Sequence, residues 1–297
     1  MRYFAILILL LSSCSEGDKT LPHSTGANSE VIFVVADVLW ESQIKDLVSN
    51  SFGSSIQGLN QNETAFRVVQ VNHSEFKSIL KTHKNIVIIA KDVMQSSQQN
   101  KWAYNQLVSQ LNWQENTKET QIYLNKLKVI YEQKELKAIR KSFAKISQKN
   151  NEELLNNNFG IEVIIPKEYK VIYNSDSIFW ATFNPPKSEE IKNMLSFSFT
   201  PYSTNLQEEV LQKTDSVFAK YLEGEKIGSF VRIEPQYPPY YNDNIYRGLW
   251  KLEKGFMGGP FLIKTYFIEN KVVVNVGLIF APQSRKRNFI KELEAIL

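Results

Sequence analysis

A nucleophile or a metal ligand has few places to sit in this sequence. Among 297 residues there is one cysteine, Cys14, and there are three histidines, His23, His73 and His83. No two histidines have the i, i+4 spacing of a helical zinc site, and no acidic cluster surrounds them. A site using His73 and His83 would need the fold to bring them together. Serine gives no stronger signal. No G-x-S-x-G elbow occurs, and Gly53-Ser54-Ser55 and Gly228-Ser229-Phe230 are merely serines beside glycine. A Ser/His/acid triad would have to recruit His73 or His83 as its base. With 31 acidic residues some carboxylate pair always qualifies on paper, so glycosidase chemistry is not specified. Gly255-Phe256-Met257-Gly258-Gly259-Pro260 has close glycines, but no helix follows to lend its dipole to a phosphate. It reads as a turn needing positive φ and a close backbone approach. The expectation is no catalytic residue, no metal ligand and no cofactor.

Recognition chemistry concentrates in "EPQYPPYYNDNIYRGLWKLEKGFMGGP". Tyr237, Tyr240, Tyr241, Tyr246 and Trp250 crowd around two prolines and Arg247. Proline-rich chain is extended at low entropic cost, and exposed rings stack on ligand faces. Arg247 offers a forked partner for a carboxylate or phosphate. The segment suits a groove for glycan, peptide or a partner loop. Its alternative is internal: rings packing the segment onto a sheet, with Arg247 bonded to backbone carbonyls. Asp37 and Trp40, at the end of the first strand, form a weaker candidate, since ligands gather at strand ends in α/β sheets; a helix start explains Asp37 equally well.

Cys14 lies where a thiol has a different use. A basic Arg2, the apolar run Tyr3 to Leu11 and the small pair Ser12-Ser13 precede it, the layout of a secretory signal. The run is too short to span a bilayer, which needs roughly 20 residues. Leu11-Ser12-Ser13-Cys14 resembles a bacterial lipobox, in which the thiolate attacks a lipid donor and cleavage leaves the acylated cysteine first. Residues 1–13 are then a signal peptide and 14–29 a flexible polar tether, with His23 solvated in it. Once Cys14 carries lipid, no thiol remains for a disulfide. The expected partner is the membrane, through acylated Cys14, and the expected location is the cell envelope. An outer membrane with the protein facing the periplasm is preferred. Glu16 and Asp18 leave surface exposure open, because they incompletely match an acidic export run.

Hydrophobic content of 43% and charged content of 22% are ordinary for a globular protein. Basic residues are scattered among acids, so the net charge of +4 makes no case for nucleic acid. The pattern predicts an α+β protein of two α/β modules, residues 30–150 and 151–297, the second an antiparallel sheet with helices packed on one face. In the first, Val31–Ala36, Phe66–Val71 and Asn85–Ala90 read as strands. Asn72 reads as a helix cap with Glu75 three residues on, and "NQLVSQLNW" as an edge strand. Lys118–Ser147 reads as a helix with Leu136, Ile139, Phe143 and Ile146 on one stripe, and Gly160 as the stop of the next helix. In the second, Ile161–Ile165, Tyr169–Tyr173, Ser177–Phe183 and Leu195–Thr200 read as strands. Asn205–Tyr221 is helical, "KTYFIENKVVVNVGLIFAP" is a hairpin turning at Glu269-Asn270, and the last residues are an amphipathic helix.

Several stretches resemble a Bacteroidota lipoprotein family classed as domain of unknown function 4837. They are "LPHSTGANSEVIFVVADVLW", "LKTHKNIVII", "IYRGLWKLEKGFMGGPFLIKTYF" and "FAPQSRKRNFIKELEAIL". The most specific is Arg247-Gly248-Leu249-Trp250 followed by Gly255 to Pro260. The resemblance implies an envelope location and a two-part architecture, and carries no catalytic residue. The opening of the second module is also similar, as fold analogy alone, to the α/β sandwich of extrinsic photosystem proteins. The function expected is a non-enzymatic, partner-binding or assembly module anchored in the envelope by lipid, with an envelope protein as partner. Alternatives are a binder of glycan, peptide or solute, and an unrecognised hydrolase.

Overall fold

A computed structural model describes residues 20–59 and 61–297. Cys14, the expected signal peptide and the start of the expected tether lie outside them. The described part of the tether is pinned rather than free. Ser24 N donates to Tyr104 O at 3.1 Å and Thr25 N to Thr82 O at 2.9 Å, so the chain lies along the first module before its first strand.

That module is built on a five-stranded sheet in the order β2-β1-β3-β5-β4, from β1 (Glu30–Val34), β2 (Arg67–Val71), β3 (Asn85–Ala90), β4 (Ser96–Gln99) and β5 (Leu107–Asn112). β1, β2, β3 and β5 run parallel and β4 antiparallel. β1 is apolar at every central position because both its faces are covered. Val31 and Phe33 face α1, the helical run 37–50, and α2 (Thr117–Ala144), while Ile32 and Val34 face the opposite layer. A single π-turn, Trp40–Ile44, sits inside α1. The expected edge strand is β5, and it is paired on both sides. The edge is β4, whose sequence Ser-Ser-Gln-Gln is wholly exposed.

No helix starts at Asn72. Its Oδ1 accepts from Ser74 N and Ser74 Oγ, each at 3.1 Å, closing a side-chain turn instead. A short 3-10 turn, Ser78–Thr82, is all that follows. α2 is capped by Asn116, which accepts from Glu119 N. Its buried line is Thr120, Leu124, Leu127, Tyr131 and Glu135. Of the expected stripe, Phe143 packs against the second module's core, whereas Ile146 is exposed.

After α3 (Lys149–Phe159), Gly160 adopts φ 68° and ends the helix as expected. In Ile161–Ile165 all but Glu162 are buried, but the run joins no sheet: Ile164 N donates to Ile296 O and Ile165 N to the Glu152 carboxylate, both at 2.9 Å. The second sheet is antiparallel in the order β10-β11-β12-β13-β8-β7-β6, with β9 also on β11. Its strands are β6 (Lys170–Asn174), β7 (Ile178–Phe183), β8 (Ile191–Phe199), β9 (Val231–Ile233), β10 (Tyr240–Asn242), β11 (Ile245–Leu252), β12 (Gly258–Ile268) and β13 (Lys271–Phe280). Besides α3, two helices pack on it, α4 (Leu206–Tyr221) and α5 (Arg287–Ile296).

The α+β class and the antiparallel second sheet are as expected, but helices cover both faces of that sheet. Alternate residues of β13 divide between them. Val273 and Ile279 meet α3 and α5, while Val272, Val274, Val276 and Leu278 meet α4. β13 is apolar on both sides and so requires two covers. No helix among the described residues is long and apolar enough to cross a membrane.

Candidate functional site

The aromatic segment runs up to and along one edge of the second sheet. β10 is the edge strand, paired to β11 with Tyr240 opposite Arg247 and Tyr241 opposite Tyr246. This hairpin turns through Asp243 and Asn244, both at positive φ. The six candidate residues differ in burial according to how far each lies from the free edge. Tyr237 and Tyr240 stand outward, 56% and 41% exposed. Tyr241 is half-buried on Tyr246, ring centroids 4.7 Å apart, and its hydroxyl donates to Asn244 Oδ1 at 3.2 Å. Tyr246 is buried, and burial pushes its phenol up to about 12.

Trp250 and Arg247 are covered on opposite faces of the sheet, Trp250 on the α4 side and Arg247 on the α5 side. Trp250 is 6% exposed and its indole N–H donates to Ile279 O at 3.1 Å, across β12. Arg247 pairs with Glu294 of α5 through both Nε, at 2.8 Å, and Nη2. Its charge is therefore met by a carboxylate of the same chain. The glycines between these strands serve the same packing. A Cβ on Gly259 would lie 2.0 Å from Ile279 O and one on Gly258 2.9 Å from Trp250 O. The close approach expected there is present. The positive φ is not at Gly258 or Gly259; in the turn before them Lys254 takes φ 57°.

The histidines are apart and bonded locally. His73 Nε2 lies 3.1 Å from Ile89 O. His83 is buried, with Nε2 3.0 Å from Glu30 Oε1 and Nδ1 accepting from Asn85 N at 3.2 Å. Its ring packs on Gly26, where a side chain would overlap it. No hydrogen bond joins either histidine to a serine among the described residues, and no group of three or more His, Cys, Asp or Glu there can hold a metal ion. Asp37 is exposed and accepts from Gln70 Nε2 and Asn72 Nδ2, both at 2.8 Å. Trp40 packs beside Phe33.

Two features escaped the sequence reading. One is a buried ion pair between the modules, Glu135 with Lys291. The other is a basic groove between α2 and α3, whose signal was the spacing of Lys137, Arg140 and Lys141 on one helix face.

A family model described as domain of unknown function (DUF8532) matches residues 24–152, and one described as domain of unknown function (DUF4837) matches residues 147–297. No curated protein matches the chain. Among solved structures, human STARD10 is 9% identical, with 51% of this chain and 80% of that one covered at a TM-score of 0.23. The lipid transfer and protein localization domain of human StarD13 (DLC2) is 11% identical, with 43% and 86% covered at 0.19. Likenesses this slight carry no argument about fold or function. The DUF4837 model spans half of the chain and takes in the aromatic strands, the hairpin and α5, and the protein belongs to that family of unknown function.

Proposed function

We propose that this protein is a lipid-anchored envelope protein of Bacteroidota, held at the membrane by acylated Cys14 and acting by binding a protein partner rather than by catalysis. The observation that supports this is the sheet edge at β10. The three-residue strand carries Tyr240 outward, and Tyr237 is exposed just before it, with Pro238 and Pro239 between the two. An exposed edge offers unpaired N–H and C=O groups to an added strand or loop, and tyrosine gives large contact area for little conformational entropy. The flanking prolines limit indiscriminate pairing of such an edge. Trp250 packs on one face of β11 and Arg247 is paired with Glu294 on the other, which leaves Tyr237, Tyr240 and part of Tyr241 as the contact surface.

The test is cross-linking in intact cells followed by purification through a tag placed in the loop 184–190. The carboxyl end is unsuitable for a tag, because Leu297 is buried and its carbonyl accepts from Tyr266 Oη at 2.7 Å. Wild type is compared with Tyr237→Ala/Tyr240→Ala, and with Tyr202→Ala as a control, a tyrosine 77% exposed outside this edge. A stoichiometric protein partner lost only in the double variant is the expected result. If no protein is enriched with wild type, or if the double variant retains the partner, the edge is not the binding surface.

A further inference from the structure

Two neighbouring turns at one end of the second sheet each hold a large apolar side chain in solvent. One joins β11 to β12, where Phe256 is 94% exposed; the other follows α4, where Ile227 is 99% exposed. Their sequences are alike, Glu225-Lys226-Ile227-Gly228 and Glu253-Lys254-Gly255-Phe256. Neither turn is loose. Ser229 N and Oγ both donate to Lys226 O, at 2.9 and 2.6 Å, and Gly228 takes φ 73°. Gly255 N donates to Leu252 O at 3.1 Å, and Lys254 takes φ 57°. The turns are also joined to each other, since Glu253 N donates to Phe230 O at 2.8 Å and the Lys254 ammonium lies beside Gly228. Turns bonded in this way cannot fold back over their own apolar residues, so both side chains stay in water, where apolar surface is unfavourable.

The amino-terminal chain enters the fold at this same end of the sheet. Gly259, at the start of β12, packs on Ile279, near the end of β13. Just past β13, Lys286 donates to Ala281 O, and Arg287 beside it donates to Ser29 O, at the entry to β1. Before Ser29 the chain is pinned along the first module between Pro22 and Thr25. Cys14 lies eight positions before Pro22, at most about 30 Å of chain. An acyl group on Cys14 therefore holds the pinned chain within that distance of a bilayer.

We infer that these two turns dip into the bilayer that holds Cys14, with Ile227 and Phe256 in the acyl boundary and Lys226 and Lys254 among the headgroup phosphates. The choice of a bilayer as the occupant rests on the lipid-anchor reading above. A lysine beside an apolar residue suits that depth, its stem lying along hydrocarbon while its ammonium reaches the interface. Neither lysine forms an ion pair among the described residues, whereas Glu253 is met by Lys251 at 3.8 Å and Arg232 at 3.9 Å. Glu225 is then the one unpaired acid on the turns, against two lysines. Tyr240 pairs with Arg247, five positions before Leu252 and roughly 17 Å away along β11, so the β10 edge stands clear of the headgroups and open to its partner.

The chain from Cys14 onward keeps every described contact, and its sole thiol can be coupled to a maleimide lipid in phosphatidylcholine vesicles with brominated acyl chains. Coupling makes the result independent of acylation in cells, which mass spectrometry of the Cys14 peptide reads separately; an unmodified peptide would sink the anchor, whatever the turns do. Bromine quenches indole only at short range. The emission that Phe256→Trp or Ile227→Trp adds over wild type is therefore expected to be lost, and that added by Tyr202→Trp to persist. Tyr202 is exposed at the opposite end of the sheet, beyond Phe199, which pairs with Val272. Adding Ile227→Ser to Phe256→Trp is expected to weaken insertion about tenfold and to restore part of the lost emission. Unchanged thermal midpoints establish that the variants are folded. Unquenched emission from positions 227 and 256, equal quenching at Tyr202→Trp, or quenching at 256 untouched by Ile227→Ser overturns the proposal. The first of these outcomes leaves the turns to a protein partner.

Discussion

At Gly259 a single methyl group has nowhere to go. Its Cβ would sit 2.0 Å from the carbonyl oxygen of Ile279, the same oxygen that takes the indole proton of Trp250. Gly259 and Trp250 are cross-strand partners in the β11–β12 register, so the indole reaches its acceptor over a strand position that must be bare. The pairing gives a physical reason for the Arg-Gly-Leu-Trp and Gly-Gly-Pro stretches to occur together: the first supplies the ring and the second the gap. Gly259→Ala is therefore expected to lower the unfolding free energy by about 2–3 kcal/mol, as an overpacked core position does. Gly228→Ala, where φ is +73° and a side chain meets only the flexible end of Lys254, is expected to cost about 1 kcal/mol through backbone strain alone. Urea unfolding of the two variants distinguishes these cases. A Gly259→Ala protein as stable as Gly228→Ala would mean that β12 and β13 do not close over the tryptophan in this way.

Among the elements, α2 shows best how a helix is docked by more than its apolar residues. Tyr131 donates from its buried hydroxyl to Ile86 O at 2.6 Å, and Lys134 donates to Lys84 O at 2.9 Å and Asn85 Oδ1 at 3.1 Å. Burial brings the Lys134 ammonium down to about 8. In the unfolded chain it titrates near ~10.4. Between those values the unfolded state holds more protons, so the Lys134 contribution makes stability rise with pH from about 8 to about 10; below pH ~8 the cost of the buried charge is present in full. Lys134→Met keeps the stem and is expected to flatten that rise. Urea unfolding at several pH values across the window measures it, and equal slopes in wild type and variant would rule out Lys134 as its source. The polar members of this helix also explain what was legible beforehand. β1, the β12–β13 hairpin, α4 and the Gly160 stop were readable because each carries an apolar period or a dedicated terminator. The buried line of α2 was not, because Thr120 and Glu135 belong to it and apolar periodicity cannot count them. β4 has no apolar residue to signal it, and the Asn72 side chain makes the same contact to the second N–H that a helix cap can make, the difference being that no helix continues from it. In the candidate site, types and spacing marked the aromatic segment as a unit, while the strand order, invisible until the sheet was known, decided which rings are covered and which lie at the free edge.

Across the whole molecule, the two sheets are tied by charge buried where α2 meets α5. Glu135 and Lys291 are each 7% exposed and paired, and Glu135 also takes the backbone N–H and hydroxyl of Ser29 at the entry to β1. Lys291 lies over the ring of Phe66, 4.2 Å from its centroid. From the first module Glu63 reaches across to accept the backbone N–H groups of Lys286 and Arg287, at 2.6 and 3.0 Å, placing a carboxylate at the amino end of α5. Arg287 returns the contact by donating to Ser29 O at 3.3 Å. None of these groups can be left alone without stranding a buried charge, so the modules are expected to unfold together, as one calorimetric transition. Glu135→Ala or Lys291→Ala alone leaves its partner unpaired and is expected to cost about 3–5 kcal/mol. Glu135→Leu/Lys291→Met replaces the pair with apolar side chains and is expected to recover most of that loss, because hydrophobic substitutes for a buried pair are often neutral. Scanning calorimetry reads both quantities at once. A wild type that melts in two steps would show that the seam does not couple the modules. Single variants as stable as wild type would show that water reaches the seam and that the pair is screened. Recovery in the double variant, with one transition restored, would place the cooperativity of the fold in the packing of α2 on α5 and leave the charges as the feature that fixes how the two modules align.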